Sequence, residues 1–191
     1  MIIKSEKLDN YTVEVAYDQD PMNPREWDNA GTMVYRYRGY SEIEDDTNLD
    51  DFDSLDDLIE YVKTDKGALV VLPLMIYDHS GITMYTGRTG DRWDSSQVGV
   101  IYITKESCEN YGVNPDDLVA LDNLLRGEVK TYDSYLTGEV YGYRIYELNT
   151  CDRGETHKDI IESCGGYLDH NEAMNDAKSL LKGMKAKEKS R

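Results

Sequence analysis

The longest apolar run in the chain extends from Ala68 to Ile76 and is interrupted by Pro73. It is about half as long as a membrane-spanning helix, which needs roughly 20 residues. A second run, from Val98 to Thr104, consists mostly of β-branched and aromatic residues, which favour strands. The two runs predict buried strands, and we expect them to be neighbours at the centre of a sheet.

Other segments predict further strands. The segments 11–17 and 32–37 alternate apolar and polar residues, the period of a half-buried strand. The segments 139–148 and 157–167 predict a closing pair of strands. Between the first two strands, residues 18–29 contain two prolines and several turn-forming residues, so we expect a long ordered loop there.

Helices are predicted at four places. Ser54, with Asp57 three residues later, has the pattern of a helix start, and the segments 105–111 and 171–187 predict a short and a terminal helix. Asn114 and Pro115 predict the start of another, whose apolar stripe extends towards Gly138. Strands and helices do not alternate strictly, which favours an α+β fold with a mostly antiparallel central sheet and two to four flanking helices.

The chain has 191 residues and no evident linker, so we expect a single domain over residues 1–191, with frayed ends at 1–9 and 186–191. Its three cysteines are an odd number without a recognisable leader, which favours a reducing, cytoplasmic compartment. We expect no membrane association, and the sequence leaves the oligomeric state open.

The chain is strongly acidic. It carries 38 Asp and Glu against 21 Lys and Arg, a formal net charge of −17. Such a charge repels nucleic acid and anionic membranes, so direct DNA binding is not expected unless a local basic patch permits it. The acidity could serve solubility alone, or it could attract a basic partner.

One segment concentrates this charge. Between residues 42 and 60 there are ten acidic residues and no Lys or Arg. They are Glu42, Glu44, Asp45, Asp46, Asp50, Asp51, Asp53, Asp56, Asp57 and Glu60. On the predicted helix the apolar residues fall on one side and the acidic residues on the other. The segment predicts a partner-binding surface that imitates phosphates, with a merely solvated helix face as the alternative.

A second group of polar residues suggests chemistry. Asp78 and His79 follow the first buried run, Asp94 precedes the second, and Asp28 lies in the proline-containing loop. If the three loops converge, these residues could serve a metal-dependent hydrolase or nuclease. The alternative is that the carboxylates cap turns while Trp27 and Trp93 pack beneath the loops.

Cys151, His157, Cys164 and His170 have side chains that zinc accepts. Their spacing matches none of the tight paired-ligand patterns of zinc sites. We therefore expect no metal site and no cofactor. The tyrosines around residues 132–146 are compatible either with a binding surface or with ordinary core packing.

Several short motifs resemble a group of small acidic proteins carried by bacteriophages, plasmids and integrated elements. The motifs are PREWDN (24–29), YDHSG (77–81), WDSSQVG (93–99), LTGEVYGY (136–143) and SCGGY (163–167). The resemblance covers about residues 11 to 170, with the motifs in the family's order. The chain departs from the family at Gly165, where a bulky aromatic residue is more common.

The resemblance implies a setting on mobile elements, where small acidic proteins often inhibit host defence, as antirestriction and anti-CRISPR proteins do. It therefore implies a cytoplasmic protein of the bacterial host cell. We expect it to inhibit a nucleic-acid-targeting nuclease, with an RNA-guided CRISPR effector preferred over a restriction enzyme. The hydrolase or nuclease built on Asp28, Asp78, His79 and Asp94 is the alternative.

Overall fold

The structure is a computed structural model that describes residues 1–79, 81–87, 95–150 and 156–188. Its strands are β1 (Ile2–Leu8), β2 (Tyr11–Tyr17), β3 (Thr32–Tyr37), β4 (Tyr40–Ile43), β5 (Ala68–Asp78), β6 (Ile82–Thr86), β7 (Ser95–Thr104), β8 (Tyr141–Thr150) and β9 (Thr156–Tyr167). Its α-helices are α1 (Leu55–Thr64), α2 (Lys105–Tyr111), α3 (Leu118–Thr137) and α4 (His170–Glu188). Two 3₁₀ turns lie at Pro24–Glu26 and Leu49–Asp51.

The chain forms two compact units. We call residues 23–137 the central unit, and residues 1–22 together with 138–191 the terminal unit. Each unit has its own antiparallel sheet, so the α+β class and the antiparallel pairing are confirmed, with two sheets in place of one central sheet. The expectation of a single domain stays a prediction.

The central unit contains five strands in the order β4-β3-β7-β5-β6. Leu121, Leu125 and Val129 of α3 are buried in one hydrophobic cluster, against one face of the sheet. Leu58 and Val62 of α1 are buried in a second cluster with sheet residues that include Val34 and Val100. The sheet therefore lies between two helical layers, as the buried apolar runs of β5 and β7 require.

The terminal unit contains the sheet β1-β2-β8-β9. Val13 and Val15 of β2 and Ile145 of β8 are fully buried, and they pack against α4 through Met174 and Leu181. The predicted closing strands do pair with each other, as β8 and β9. The first strand was not predicted: residues 1–9, expected to fray, contain β1, which pairs with β2 from Ile2 to Leu8.

The predicted strand pair at the centre of the sheet is confirmed. β5 and β7 are antiparallel neighbours, with Tyr77 opposite Ser95 and Ala68 opposite Thr104. Within the described residues β6 pairs with β5 only from Leu74 onwards, so Pro73 lies where β5 has β7 as its single neighbour. Proline lacks the N–H that a second neighbour would need, which explains its tolerance at this position.

The helix starts were predicted with unequal accuracy. Helix α1 begins directly after Ser54, and α2 spans the predicted residues. Helix α3 begins at Leu118, later than predicted, because Asn114 accepts a bond from the Asp116 N–H and closes a turn there. Asp117 then caps the helix by accepting from the Ala120 N–H at 3.0 Å. Within the described residues, no helix is long and apolar enough to span a membrane.

Candidate functional site

The acidic segment contains the start of α1, which is fixed by a reciprocal cap. Ser54 accepts a bond from the Asp57 N–H at 3.2 Å, and its hydroxyl donates to the Asp57 carboxylate at 2.7 Å. Carboxylates in the first turn are also favoured by the helix dipole. Leu58 and Val62 face the core while Asp56, Asp57 and Glu60 are exposed. The predicted separation of apolar and acidic sides is therefore confirmed.

Glu44, one of the ten acidic residues, is bound by a buried arginine. Arg25, whose side chain is 1% exposed, donates to it from Nε at 2.6 Å and from Nη2 at 2.7 Å. Arg25 also donates to Glu128 of α3 at 2.9 Å. Burial would lower the pKa of Arg25, but the bonds and charges of the two glutamates outweigh it and raise that pKa. The carboxylate of Glu44 is therefore committed to the fold.

Glu42 is also committed to an internal network. It accepts a hydrogen bond from the Tyr132 hydroxyl at 3.0 Å and another from Asn23 Nδ2 at 2.9 Å. The hydroxyls of Tyr132 and Tyr35 lie 2.8 Å apart. Burial is the largest cause that raises the pKa of Tyr132, and burial also raises the pKa of Tyr35 to about 12 although the hydrogen bond with Tyr132 opposes it. Both phenols are therefore neutral donors at pH 7.

Asp45 is the third internal carboxylate. It accepts bonds from the Tyr102 hydroxyl at 2.5 Å and from the backbone and hydroxyl of Thr47, and it faces Lys66 at 3.3 Å. Burial alone would raise the pKa of Asp45, but these bonds and the Lys66 charge hold it below its ordinary value. Asp45 therefore anchors the loop between β4 and α1.

The other seven acidic residues are exposed, and we call them the acidic surface: Asp46, Asp50, Asp51, Asp53, Asp56, Asp57 and Glu60. Asp46 pairs with Lys66, and Asp50 with Arg36 at 2.8 Å. The carboxylates of Asp53, Asp56 and Glu60 have no hydrogen-bond or ion-pair partner among the described residues. Lys63, one turn beyond Glu60, ends the acidic face of the helix.

The charge is unequally divided between the two units. The central unit carries 23 Asp and Glu against ten Lys and Arg, a net charge of −13 out of the total of −17. The acidic surface therefore lies in the unit that carries most of the negative charge. The electric field of the acidic surface adds to that of the other acidic residues of the central unit, which strengthens the attraction to a basic partner.

The residues of the catalytic alternative do not form one site in the described part of the chain. Asp78 accepts from Arg38 at 2.7 Å and from the Tyr37 hydroxyl at 3.0 Å, so it fixes the turn between β3 and β4. His79 is exposed and stacks on Tyr77. Asp94, with Ser80 and Trp93, lies outside the described residues.

The strand register separates Asp28 from Asp78. Thr32, the first strand residue after Asp28, is opposite Tyr102 of β7, and Tyr102 is opposite Val71 of β5. Asp78 lies seven residues further along β5, about 23 Å at the usual rise of a strand. The predicted convergence is thus correct for the ends of β5 and β7 and wrong for the loop that contains Asp28.

No group of three or more His, Cys, Asp and Glu side chains with the geometry of a metal site occurs in the described ranges. Of the considered zinc ligands, Cys151 lies outside those ranges, Cys164 is exposed, and His157 lies 3.3 Å from Asp159. Gly165, the departure from the family pattern, lies against Asp18: a Cβ there would be 2.2 Å from the carboxylate, which accepts a bond from the Gly166 N–H.

Sequence reasoning missed the residues that hold the acidic segment in place, above all Arg25 and Glu128. The available signal was a lone arginine after Pro24 in an otherwise acidic loop, since a single cation in such a setting often pairs internally. Comparisons with protein-family models, with curated proteins and with solved structures found no match for this chain.

Proposed function

We propose that this chain is a mobile-element anti-defence protein that binds a host nucleic-acid-targeting nuclease and blocks its basic channel. The observation that carries the proposal is the division of the acidic segment into two groups. Three carboxylates are bound by buried or half-buried side chains of the fold, while seven form the acidic surface, and the side chains of three of these have no partner in the described structure.

The charge density of α1 is of the order that a nucleic-acid channel recognises. Asp56, Asp57 and Glu60 lie within five residues, a rise of about 6 Å along the helix axis. Duplex DNA presents roughly one charge per 1.7 Å of its axis, and proteins meet it with Lys and Arg. Three carboxylates in about 6 Å approach that density, so the helix can occupy a site built for phosphates.

The resemblance to phage- and plasmid-borne acidic proteins supplies the setting, and an RNA-guided effector is the preferred target over a restriction enzyme. Such an effector holds its heteroduplex in a positively charged channel that reads backbone geometry rather than sequence. A rigid array of carboxylates can enter that channel without presenting bases.

Capture of the partner from a bacterial lysate tests the proposal. The bait is the whole chain, compared with a triple variant in which Asp53, Asp56 and Glu60 become Asn, Asn and Gln. The control removes three charges elsewhere, at Asp20, Glu106 and Glu139, which are exposed and lack side-chain partners among the described residues. Glu106 lies in the first turn of its helix, as Asp56 does.

The proposal predicts that wild type and control retain a nuclease or another nucleic-acid-binding protein, and that the triple variant loses it at physiological salt. Equal capture by all three proteins would show that the acidic surface is not the contact. If the captured protein does not bind nucleic acid, the proposed class of target is wrong.

A further inference from the structure

The acidic surface borders a pocket at the start of α1. The pocket has a volume of about 250 Å³, and all of its lining residues belong to the central unit. Its apolar lining comes from Leu49, Phe52, Leu55, Leu58 and Val98. Leu58 is fully buried and Phe52 packs against Tyr61 at 5.2 Å between ring centroids, so the apolar part is held in place.

The two carboxylates that line the same pocket differ in their partners. Asp50 and Asp53 both line it, and so does Arg36, whose Nη1 donates to Asp50 at 2.8 Å. Asp53 has no partner among the described residues. An arginine of this chain thus lines the pocket with its head on one carboxylate, while the second carboxylate has no cation.

We propose that this pocket receives an arginine side chain of the partner, with its aliphatic stem on Phe52 and Leu55 and its guanidinium on Asp53. The inference rests on the proposed function and deepens it by assigning the contact that fixes the partner's position. Arginine suits the pocket because its stem covers apolar surface while its planar head binds a carboxylate with two parallel bonds. The first turn of α1 adds Asp56 and Asp57, which offset the positive end of the helix dipole that would oppose a cation.

The pocket makes two acidic residues unequal. Asp53 and Asp56 are both exposed, unpartnered in the described structure and three residues apart, but only Asp53 lines the pocket. A purely long-range electrostatic contact would treat them alike. A seated arginine gives Asp53 a charge-assisted hydrogen bond, which contributes more than an exposed ion pair does.

The test uses a peptide of alternating arginine and glycine, and the same peptide with citrulline, which has the arginine shape without its charge. Binding is measured by calorimetry at low salt for wild type, Asp53→Asn and Asp56→Asn. We expect Asp53→Asn to weaken binding of the arginine peptide about tenfold and Asp56→Asn to weaken it threefold or less. These values follow from the strengths of a charge-assisted hydrogen bond and of an exposed ion pair. The citrulline peptide is expected not to bind.

Phe52→Ala supplies a second measurement, because it alters the apolar part of the pocket without changing the net charge. We expect weaker binding of the arginine peptide, and Phe52→Leu, which retains apolar volume, is expected to recover most of it. Thermal unfolding of each variant shows whether the fold is retained; if Phe52→Ala does not fold, the comparison of Asp53→Asn with Asp56→Asn decides.

Equal weakening by Asp53→Asn and Asp56→Asn, with no effect at Phe52, would overturn the pocket and leave the acidic surface as a diffuse contact. If neither substitution changes the binding of the arginine peptide, the pocket is overturned. If, in addition, the triple variant captures the partner from lysate as well as wild type does, the proposed function is overturned with it.

Discussion

The guanidinium of Arg25 and the carboxylate of Glu44 form two parallel hydrogen bonds of 2.6 and 2.7 Å. The remaining donors of Arg25 bind Glu128, Asn29 and the carbonyl of Gly31. One buried side chain therefore joins the proline-containing loop, the start of the acidic segment and α3. This arrangement fixes the position of Glu44, which directly precedes the acidic surface in the chain.

Arg25→Lys is expected to lower the free energy of unfolding by about 3 kcal/mol, because an ammonium cannot reproduce the forked geometry of the buried guanidinium and leaves the carboxylates of Glu44 and Glu128 partly unsatisfied. Urea unfolding measures this change. Arg36→Lys is the matched control, since its exposed pair with Asp50 predicts a change within ~0.5 kcal/mol. Similar effects at both positions would contradict the role assigned to Arg25.

Tyr132→Phe is expected to cost about 1–3 kcal/mol of stability, because the Tyr35 hydroxyl and the Glu42 carboxylate each lose a partner. Tyr135→Phe is the control: its ring stacks on Tyr132, but its hydroxyl has no hydrogen-bond partner among the described residues. Guanidinium unfolding of both variants makes the comparison. A loss at Tyr135 as large as that at Tyr132 would show that removal of a tyrosine hydroxyl is costly here whether or not it belongs to the hydrogen-bond network, and would contradict the role assigned to that network.

Asp45→Asn is expected to destabilise the protein by about 1–2 kcal/mol at pH 7, since the carboxylate accepts charge-assisted bonds. The folded state holds the pKa of Asp45 below its ordinary 3.8, so the unfolded chain takes up the proton at higher pH. The stabilisation is thus complete above about pH 4 and is lost as pH falls through the folded-state pKa.

The difference in free energy of unfolding between wild type and Asp45→Asn should therefore become smaller below pH 4, as measured by urea unfolding over a pH series. Asp51→Asn, on an exposed carboxylate, should change stability by less than ~0.5 kcal/mol throughout. A gap between wild type and Asp45→Asn that is constant down to pH 2.5 would contradict the ionised role of Asp45.

The sequence predicted the local elements well because their signals are local. Alternation along Tyr11–Tyr17, the apolar run of β5 and the Ser54–Asp57 cap each depend on neighbouring residues. Local signals could not predict which individual acidic residues bind a partner within the fold and which do not. Glu44 and Asp53 look alike in the sequence, but Glu44 meets Arg25 through the fold while Asp53 meets no partner in the described structure.

The predicted convergence failed for the loop that contains Asp28, and the reason is related. The order of strands in the central unit puts β3 beside β7 with Thr32 opposite Tyr102, and this register is set by long-range pairing. The sequence correctly indicated that β5 and β7 are adjacent, but it carried no signal for which end of β7 would receive the loop containing Asp28.

The central claim is that the acidic surface occupies a basic channel of its partner, and competition with nucleic acid tests it most directly. The partner captured from lysate is loaded with a fluorescent duplex or guide–target heteroduplex, and displacement is followed by anisotropy at physiological salt. We expect stoichiometric displacement by wild type and by the charge-matched control, and at least about tenfold weaker displacement by the triple variant at Asp53, Asp56 and Glu60. Simultaneous binding of nucleic acid and of this protein to the partner would contradict the claim.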